Sequence, residues 1–379
     1  MNFKLSEEQE ELRQMFEDYA ETLREDAGPN DENEHFAVER LPELAEIGLL
    51  GIPVSEEYGG TGLGQLEYVL AVEELSKIDS SVAVTISAHT SLCIWPILTF
   101  GTEEQKQKYV PDLATGAKLG AFGLTEPSAG TDAAMQKSFA EDKGDYYLLN
   151  GSKVFITNGS YADTYVIFAM TEKGIGNKGI TAFILEKGME GFSFGTKEKK
   201  MGIRASATYE LIFQDVKVPK ENVLGEPGKG FKIAMMTLDG GRIGIAAQAL
   251  GIAQGAINET IAYVTERMQF GKRISQFQNT QFELAAMQTK VDAARMLVYR
   301  AAQAEEDGDK YGMLAAEAKL FASETASDVT RRCVQLFGGY GYTRDYPIER
   351  LMRDAKITEI YEGTSEVQKM VISANMGVK

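Results

Sequence analysis

Cysteine, histidine and positive charge are all in short supply, and each shortage closes off a class of function. The two cysteines, Cys93 and Cys333, lie far apart with no CxxC, so no disulfide framework is indicated and both read as buried thiols in a reducing compartment. With only His35 and His89 there is no His/Cys cluster to hold a metal, and a Ser-His-Asp triad has few candidates. A formal charge of -17 argues against nucleic acid or an anionic membrane as partner, since either needs a basic surface; local basic pockets stay open. No uninterrupted apolar run approaches the roughly 20 residues that span a bilayer. The opening MNFKLSEEQEELRQMF is acidic and amphipathic, unlike a signal peptide. The expected location is cytoplasmic.

What the chain does have is length and patterned apolar content. At 379 residues and 44% hydrophobic it exceeds the size of one growing core, so two or three packed units are expected. Residues 1–120 read as helices: Leu5, Leu12, Phe16, Tyr19 and Leu23 recur at helical steps, as do Leu41 to Leu50 and Leu66 to Ile78. The glycine-rich loop from Tyr58 to Gly64 lacks the GxGxxG spacing of a dinucleotide fingerprint and reads as a turn. Over 121–225 the period changes. Tyr146 to Leu149, Lys153 to Thr157, Thr164 to Met170, Ile180 to Glu186 and Thr208 to Val218 are short β-rich runs, with Asn150-Gly151 a hairpin signal between the first two. They predict a small antiparallel barrel or sandwich. Phe122 to Asp132 (FGLTEPSAGTD) reads equally as a connecting loop or as a cradle of N–H groups and hydroxyls for a polar ring or phosphate.

Over 226–379 helices return. Ile243, Ala246, Leu250, Ala253, Ile257, Ile261 and Val264 form one stripe, and Leu284, Met287, Val291, Ala294, Val298 and Ala301 a second. Ala318, Phe321, Thr325, Val329, Cys333 and Leu336 form a third, and a fourth helix runs through Leu351 and Ile357, giving a four-helix bundle. That helix leads into KITEIYEGTSEVQ (Lys356 to Gln368), where Glu362 stands between two helical patterns. Gly363 supplies a turn and Ser365 with Gln368 a capping box, but neither requires the glutamate.

Eight separated motifs, in order, then carry a resemblance. FGLTEPSAGTD, KVFITNG (Lys153 to Gly159), KMGIR (Lys200 to Arg204), LDGGR (Leu238 to Arg242), RMQFG (Arg267 to Gly271), QLFGGYGY (Gln335 to Tyr342), MRDAKI (Met352 to Ile357) and YEGT (Tyr361 to Thr364) resemble the acyl-CoA dehydrogenase family over essentially the whole chain, most closely its short-chain branch. The resemblance implies a mainly α fold with a middle β domain, FAD as cofactor, a homotetramer, an electron-transfer flavoprotein as partner and desaturation of a short-chain acyl-CoA, butyryl-CoA to crotonyl-CoA, possible in either direction. It implies Glu362 as catalytic base. It assigns the flavin to Phe122, Leu124, Thr125, Gly130, Thr131, Phe155, Ile156 and Thr157; to Arg267, Phe270, Phe277, Gln278, Gln335, Leu336, Gly338 and Gly339, some of them across a subunit interface; and to Thr364 and Glu366. Substrate contacts are implied for Thr131, Leu238, Asp239, Arg242, Tyr361 and Gly363. The alternatives are the same scaffold acting on a branched or dicarboxylic acyl-CoA or reoxidised by oxygen, and a non-enzymatic helical scaffold without flavin.

The residue types suit that chemistry. Forming a Cα=Cβ bond beside a thioester removes a weakly acidic α-proton and a β-hydride, and a buried carboxylate poised near the working pH suits the first task. The thioester oxygen gains charge and needs preorganised donors. The sequence departs from parts of the family at Gly241, where other branches carry the base, at Phe155 in place of a tryptophan, and at Glu366 in place of glutamine.

Overall fold

A computed structural model describes residues 4–378. Its first helix, Glu7–Thr22, opens with a capping box in which Ser6 and Gln9 satisfy each other's backbone N–H groups, and it buries Phe16 and Ala20. Helix Gln65–Ser76 packs between it and the C-terminal bundle and is buried over nearly its whole length. The Leu41–Leu50 stretch is helical only as far as Glu46. Ser80–Phe100 is, among the described residues, the segment long and apolar enough to cross a membrane, yet most of it is buried inside the molecule. A π-helical turn over Ala88–Ile94 interrupts it. Within that turn His89 is structural: its Nδ1 accepts from the Gly120 N–H and its Nε2 faces the Leu113 carbonyl, while burial lowers its pKa to about 4.

Eight strands make the middle sheet: β1 (Gly120–Gly123), β2 (Phe139–Asp142), β3 (Tyr146–Thr157), β4 (Thr164–Met170), β5 (Ile180–Glu186), β6 (Phe192–Lys197), β7 (Thr208–Pro219) and β8 (Val223–Leu224). The order β6-β7-β3-β2-β4-β5-β8 is antiparallel except where β2 meets β4, and β1 lies parallel to β4 from Gly120↔Thr164 to Gly123↔Ile167. The Asn150-Gly151 hairpin does not form. Both runs belong to β3, and the pairing with β7 slips between Leu149 and Gly151. The Asn150 side chain exchanges two 2.9 Å hydrogen bonds with Asp215 across the ladder, and a Cβ on Gly151 would sit 2.3 Å from Ser138 Oγ. Glycine is there for a close approach opposite a bulge that β7 carries at left-handed Asp215, not for a chain reversal.

The bundle comprises Gly230–Glu266, Gln278–Glu306, Gly312–Phe337 and Ile348–Thr358, with Ser365–Asn375 packed on the third. Its core runs without a break into the N-terminal helices, joining Phe16, Leu70, Leu250, Val291 and Val329, while the sheet encloses a second core around Tyr165, Ile167, Phe183 and Leu211. Both cysteines are free and buried. On the stripes, Ile261 and Phe321 prove exposed; on Gly312–Phe337 the buried face runs instead through Ala315, Ala318, Lys319, Ala322, Ala326 and Val329.

Candidate active site

Between helices Ile348–Thr358 and Ser365–Asn375 the chain turns through two left-handed residues, Glu362 at φ 52° and Gly363 at φ 94°. Glycine adopts that region freely, whereas a residue bearing a Cβ does so at a cost of about 1–3 kcal/mol that its surroundings must cover. The surroundings are visible. Thr364, not Ser365, is the helix N-cap, accepting from Val367 N at 3.4 Å. Gln368 is therefore free of the expected capping box; its buried amide donates to the Gly363 carbonyl at 2.8 Å and the Glu362 carbonyl at 3.3 Å. From beneath, the fully buried Lys319 ammonium donates to the Gly363 carbonyl.

The strained turn aims the Glu362 carboxylate at the long helix Gly230–Glu266. A Cβ on Gly241 would fall 2.3 Å from Glu362 Oε2 and 2.8 Å from Leu92 Cδ2, the latter presented by the π-helical turn. The absent side chain at Gly241 is thus what lets the carboxylate in. Oε2 is buried and has no hydrogen-bond partner. Burial pushes the Glu362 pKa up to about 7, with Lys319 and then Arg242 pulling the other way. Arg242 is itself buried, ion-paired to Asp239 and left with its Nε unsatisfied; burial lowers its pKa and raises that of Asp239. Tyr361 donates its hydroxyl to Gln248 Oε1 on the same long helix, one turn beyond Gly244, where the Tyr68 and Ser87 hydroxyls close in. Leu238 lies half-buried at the near end.

A second group collects at the edge of the sheet. Phe122 ends β1 against Phe168, ring centroids 5.1 Å apart; Leu124 offers its carbonyl to Lys153 at 3.0 Å, and Thr125 accepts from Val154 N at 2.9 Å. Gly130 and Thr131 are exposed beyond it. The loop is clamped by Glu126, whose carboxylate takes Lys153 Nζ at 2.7 Å and Ser138 N at 3.0 Å, and Gln136 adds a further acceptor for Lys153 at 3.0 Å. Beside it β3 bulges between Lys153 and Ile156, placing Phe155 at φ 63° with its ring 63% exposed. A bulky aromatic held left-handed and facing outward is an outlier that calls for a binding partner. Ile156 is buried in the sheet core and offers only its backbone; Thr157 is half-buried.

The remaining expected residues form a third group at the end of the bundle. Arg267 follows Gly230–Glu266 and lies over the Tyr340 ring at 5.4 Å. Phe270, 92% exposed and at φ 54°, meets Phe277 edge-on, and Gln278 opens the next helix. Gln335, Leu336, Gly338 and Gly339 finish Gly312–Phe337 and its 3-10 extension, and a Cβ on either glycine would meet nothing within 4 Å. Among the described residues no hydrogen bond or ring contact joins this group to Glu362 or to Phe155. Thr364 caps its helix and Glu366 stays exposed on the first turn.

A strained carboxylate with an unpartnered oxygen, facing a helix thinned by glycine, in a chain that also presents an outward aromatic and an open hydroxyl loop, describes a flavin dehydrogenase of activated acyl groups. The chain belongs to the acyl-CoA dehydrogenase family: the models of its N-terminal, middle and C-terminal domains match residues 6–117, 121–216 and 228–377. It is similar to the short-chain specific acyl-CoA dehydrogenase of Clostridium acetobutylicum, 58% identical over 377 residues covering 99% of this chain and 100% of the relative. The structure of butyryl-CoA dehydrogenase from Megasphaera elsdenii superposes with a TM-score of 0.97 at 54% identity, covering 99% of this chain and 100% of the other. A chain from a structural study of the electron transferring flavoprotein of Acidaminococcus fermentans superposes at 0.98 with 56% identity, covering 99% of each.

Sequence reading assigned no role to Lys319, Gln248, Tyr68, Lys153 or Glu126, and gave Gln368 only a place in a capping box. For Lys319 a signal existed: a lysine four residues after Ala315 and three before Ala322, all on one buried face. Reading the stripe through Phe321 hid it.

Proposed function

We propose that this protein is an FAD-dependent acyl-CoA dehydrogenase that desaturates a short-chain thioester between Cα and Cβ, with Glu362 as the base that takes the α-proton. The observation that carries the reading is the Glu362 carboxylate: buried, unpaired at Oε2, raised to about 7 and aimed at the space left by Gly241. A base of that pKa is about half ionised at neutral pH, so it is available to take a proton and still binds one strongly. Gly241 and Leu92 bound the acyl side, and Asp239 and Arg242 stand where the thioester's polar part would enter. The residues present fit a flavin. Phe155 gives it an exposed aromatic face, and the loop from Leu124 to Thr131 gives N–H groups and hydroxyls; Arg267 with the open backbone at Gly338 and Gly339 suits the pyrophosphate and adenosine. When bound, FAD supplies the acceptor for the β-hydride.

The exposed third group, with Phe270 almost wholly in solvent, fits a homotetramer in which it completes a neighbour's cofactor site. An electron-transfer flavoprotein is the partner this reading needs for reoxidation, and the two free, buried thiols suit a cytoplasmic location. Because proton and hydride transfer are reversible, the same site serves reduction of the enoyl thioester when the partner is the stronger reductant. The test is anaerobic addition of butyryl-CoA, with longer, branched and dicarboxylic acyl-CoAs in parallel. Flavin absorbance bleached best by butyryl-CoA is the expected result. Best bleaching by another thioester moves the substrate, and protein that takes up no FAD overturns the reading.

A further inference from the structure

We propose that Lys319 is a positioning residue for the reaction: buried beneath the Glu362–Gly363 turn and bonded to the Gly363 carbonyl, it holds Glu362 in its left-handed conformation and keeps a positive charge behind the carboxylate. The inference rests on the reading of Glu362 as base. Lys319 lies in the middle of Gly312–Phe337 on its buried face, between Ala315 and Ala322, where an alanine-lined core has no packing use for a charged amine. Among the described residues its hydrogen bond goes to the carbonyl of the residue following Glu362. That same carbonyl takes the Gln368 amide at 2.8 Å, so two buried donors converge on it while the carboxylate next door has none at Oε2.

The charges around the pair are few and sit on four elements. Glu362 is faced by Lys319 from Gly312–Phe337, by Arg242 from Gly230–Glu266, and by the neutral hydroxyls of Tyr68 from Gln65–Ser76 and of its own neighbour Tyr361. Lys319 is faced by Glu362 and Arg242, and by Glu359 and Glu366 from the ends of the two flanking helices. Arg242 is already committed to Asp239, which leaves Lys319 as the cation acting most strongly on the base. Its bond to a backbone carbonyl, not to the carboxylate, keeps the base free to accept a proton while its charge limits how far burial raises the pKa.

Two neutral variants separate the charge from the hydrogen bond. Lys319→Gln keeps a donor for the Gly363 carbonyl and Lys319→Met keeps neither; Lys319→Arg keeps the charge. The first readout is the Glu362 carboxyl C=O stretch against pH, assigned by its absence in Glu362→Gln and taken without substrate. The second is the pH profile of anaerobic flavin reduction by butyryl-CoA. In Lys319→Gln and Lys319→Met both midpoints should move up by about one pH unit or more. Lys319→Met should lose roughly a further tenfold in rate at high pH from the loosened turn, and Lys319→Arg should keep the natural midpoint. A midpoint unmoved in both neutral variants overturns the proposal, as does one that rises in Lys319→Arg as far as in Lys319→Gln. If neither neutral variant folds, Lys319→Arg decides alone, an unmoved midpoint supporting the proposal and a raised one overturning it. Should the natural protein's flavin ignore every acyl-CoA, the functional reading fails, and the infrared titration still decides what Lys319 does.

Discussion

Two glutamates with buried carboxylate oxygens, each beside a fully buried lysine, behave in opposite ways. At the sheet edge Glu126 accepts from Lys153, Lys137 N and Ser138 N; burial alone would raise its pKa, but these donors overcome that and hold it below the ordinary carboxylate value. In the bundle Glu362 has a lysine close by that bonds elsewhere, no donor at Oε2, and a pKa pushed up to about 7. The first carboxylate is a clamp with both oxygens engaged. The second is kept hungry for a proton, and the strain at φ 52° is spent on the turn that keeps it so. The difference lies not in burial, which both share, but in where the lysine sends its hydrogen bond.

The sharpest way to break this contrast is Glu362→Gln. Substrate-dependent flavin reduction should fall by about 10²–10⁴, the usual worth of a general base, with flavin content unchanged; stopped-flow at pH 8 measures it, and a near-native rate removes Glu362 from the role. In the natural protein the same rate should decline as pH falls through about 7, where Glu362 takes up its proton. Lys153→Met makes the opposite prediction: it strands Glu126 as a buried unpaired charge and should cost about 3–5 kcal/mol of stability, read by denaturant unfolding, with weakened flavin retention because the Leu124 carbonyl loses its anchor. Gly241→Ala is a smaller and more local blow. Its Cβ would meet Oε2 at 2.3 Å, so the carboxylate must swing aside, and the rate should drop by about tenfold to a hundredfold while the melting temperature barely moves.

Why Glu362 was legible and its lysine was not follows from how each is written into the chain. The base sits in a short run, Tyr361 to Thr364, whose turn residues and motif resemblance point to it directly. Helix stripes were legible because period reports burial, and the strands Thr164–Met170 and Ile180–Glu186 because they are short β-rich runs, buried almost throughout. Lys319 is 43 residues from Glu362 and meets it only through packing of Gly312–Phe337 against the turn; a lysine on a helix reads as solvent-facing unless the stripe is phased correctly. β1 was hidden because its four residues, Gly120–Gly123, are held by parallel pairing to β4, a partner 44 residues on. Asn150-Gly151 misled because the dipeptide that makes a hairpin turn here faces a bulge on β7, and only the backbone and side chain of Asp215 across the ladder distinguish the two.

The faintest expected effect tests the same contrast through stability. A carboxyl whose pKa is raised on folding binds protons more tightly in the native state than in the unfolded one, so its contribution is favourable at low pH and is lost as pH rises. For Glu362 the window runs from its ordinary value of 4.5 to about 7. Above that window the ionised carboxylate should cost about 3 kcal/mol relative to a neutral group of the same shape. Glu362→Gln, the variant that destroys activity, should therefore be the more stable protein at pH 8 by roughly that amount and match the natural protein at pH 4. For Glu126→Gln the sign reverses: its lowered pKa stabilises the fold at neutral pH, so the substitution should destabilise at pH 8 and less so in acid. Melting temperatures on protein stripped of flavin, taken between pH 4.5 and about 7 for Glu362→Gln and from about pH 8 down to well below 4.5 for Glu126→Gln, measure the two slopes; slopes of the same sign would mean the two glutamates are the same kind of residue after all.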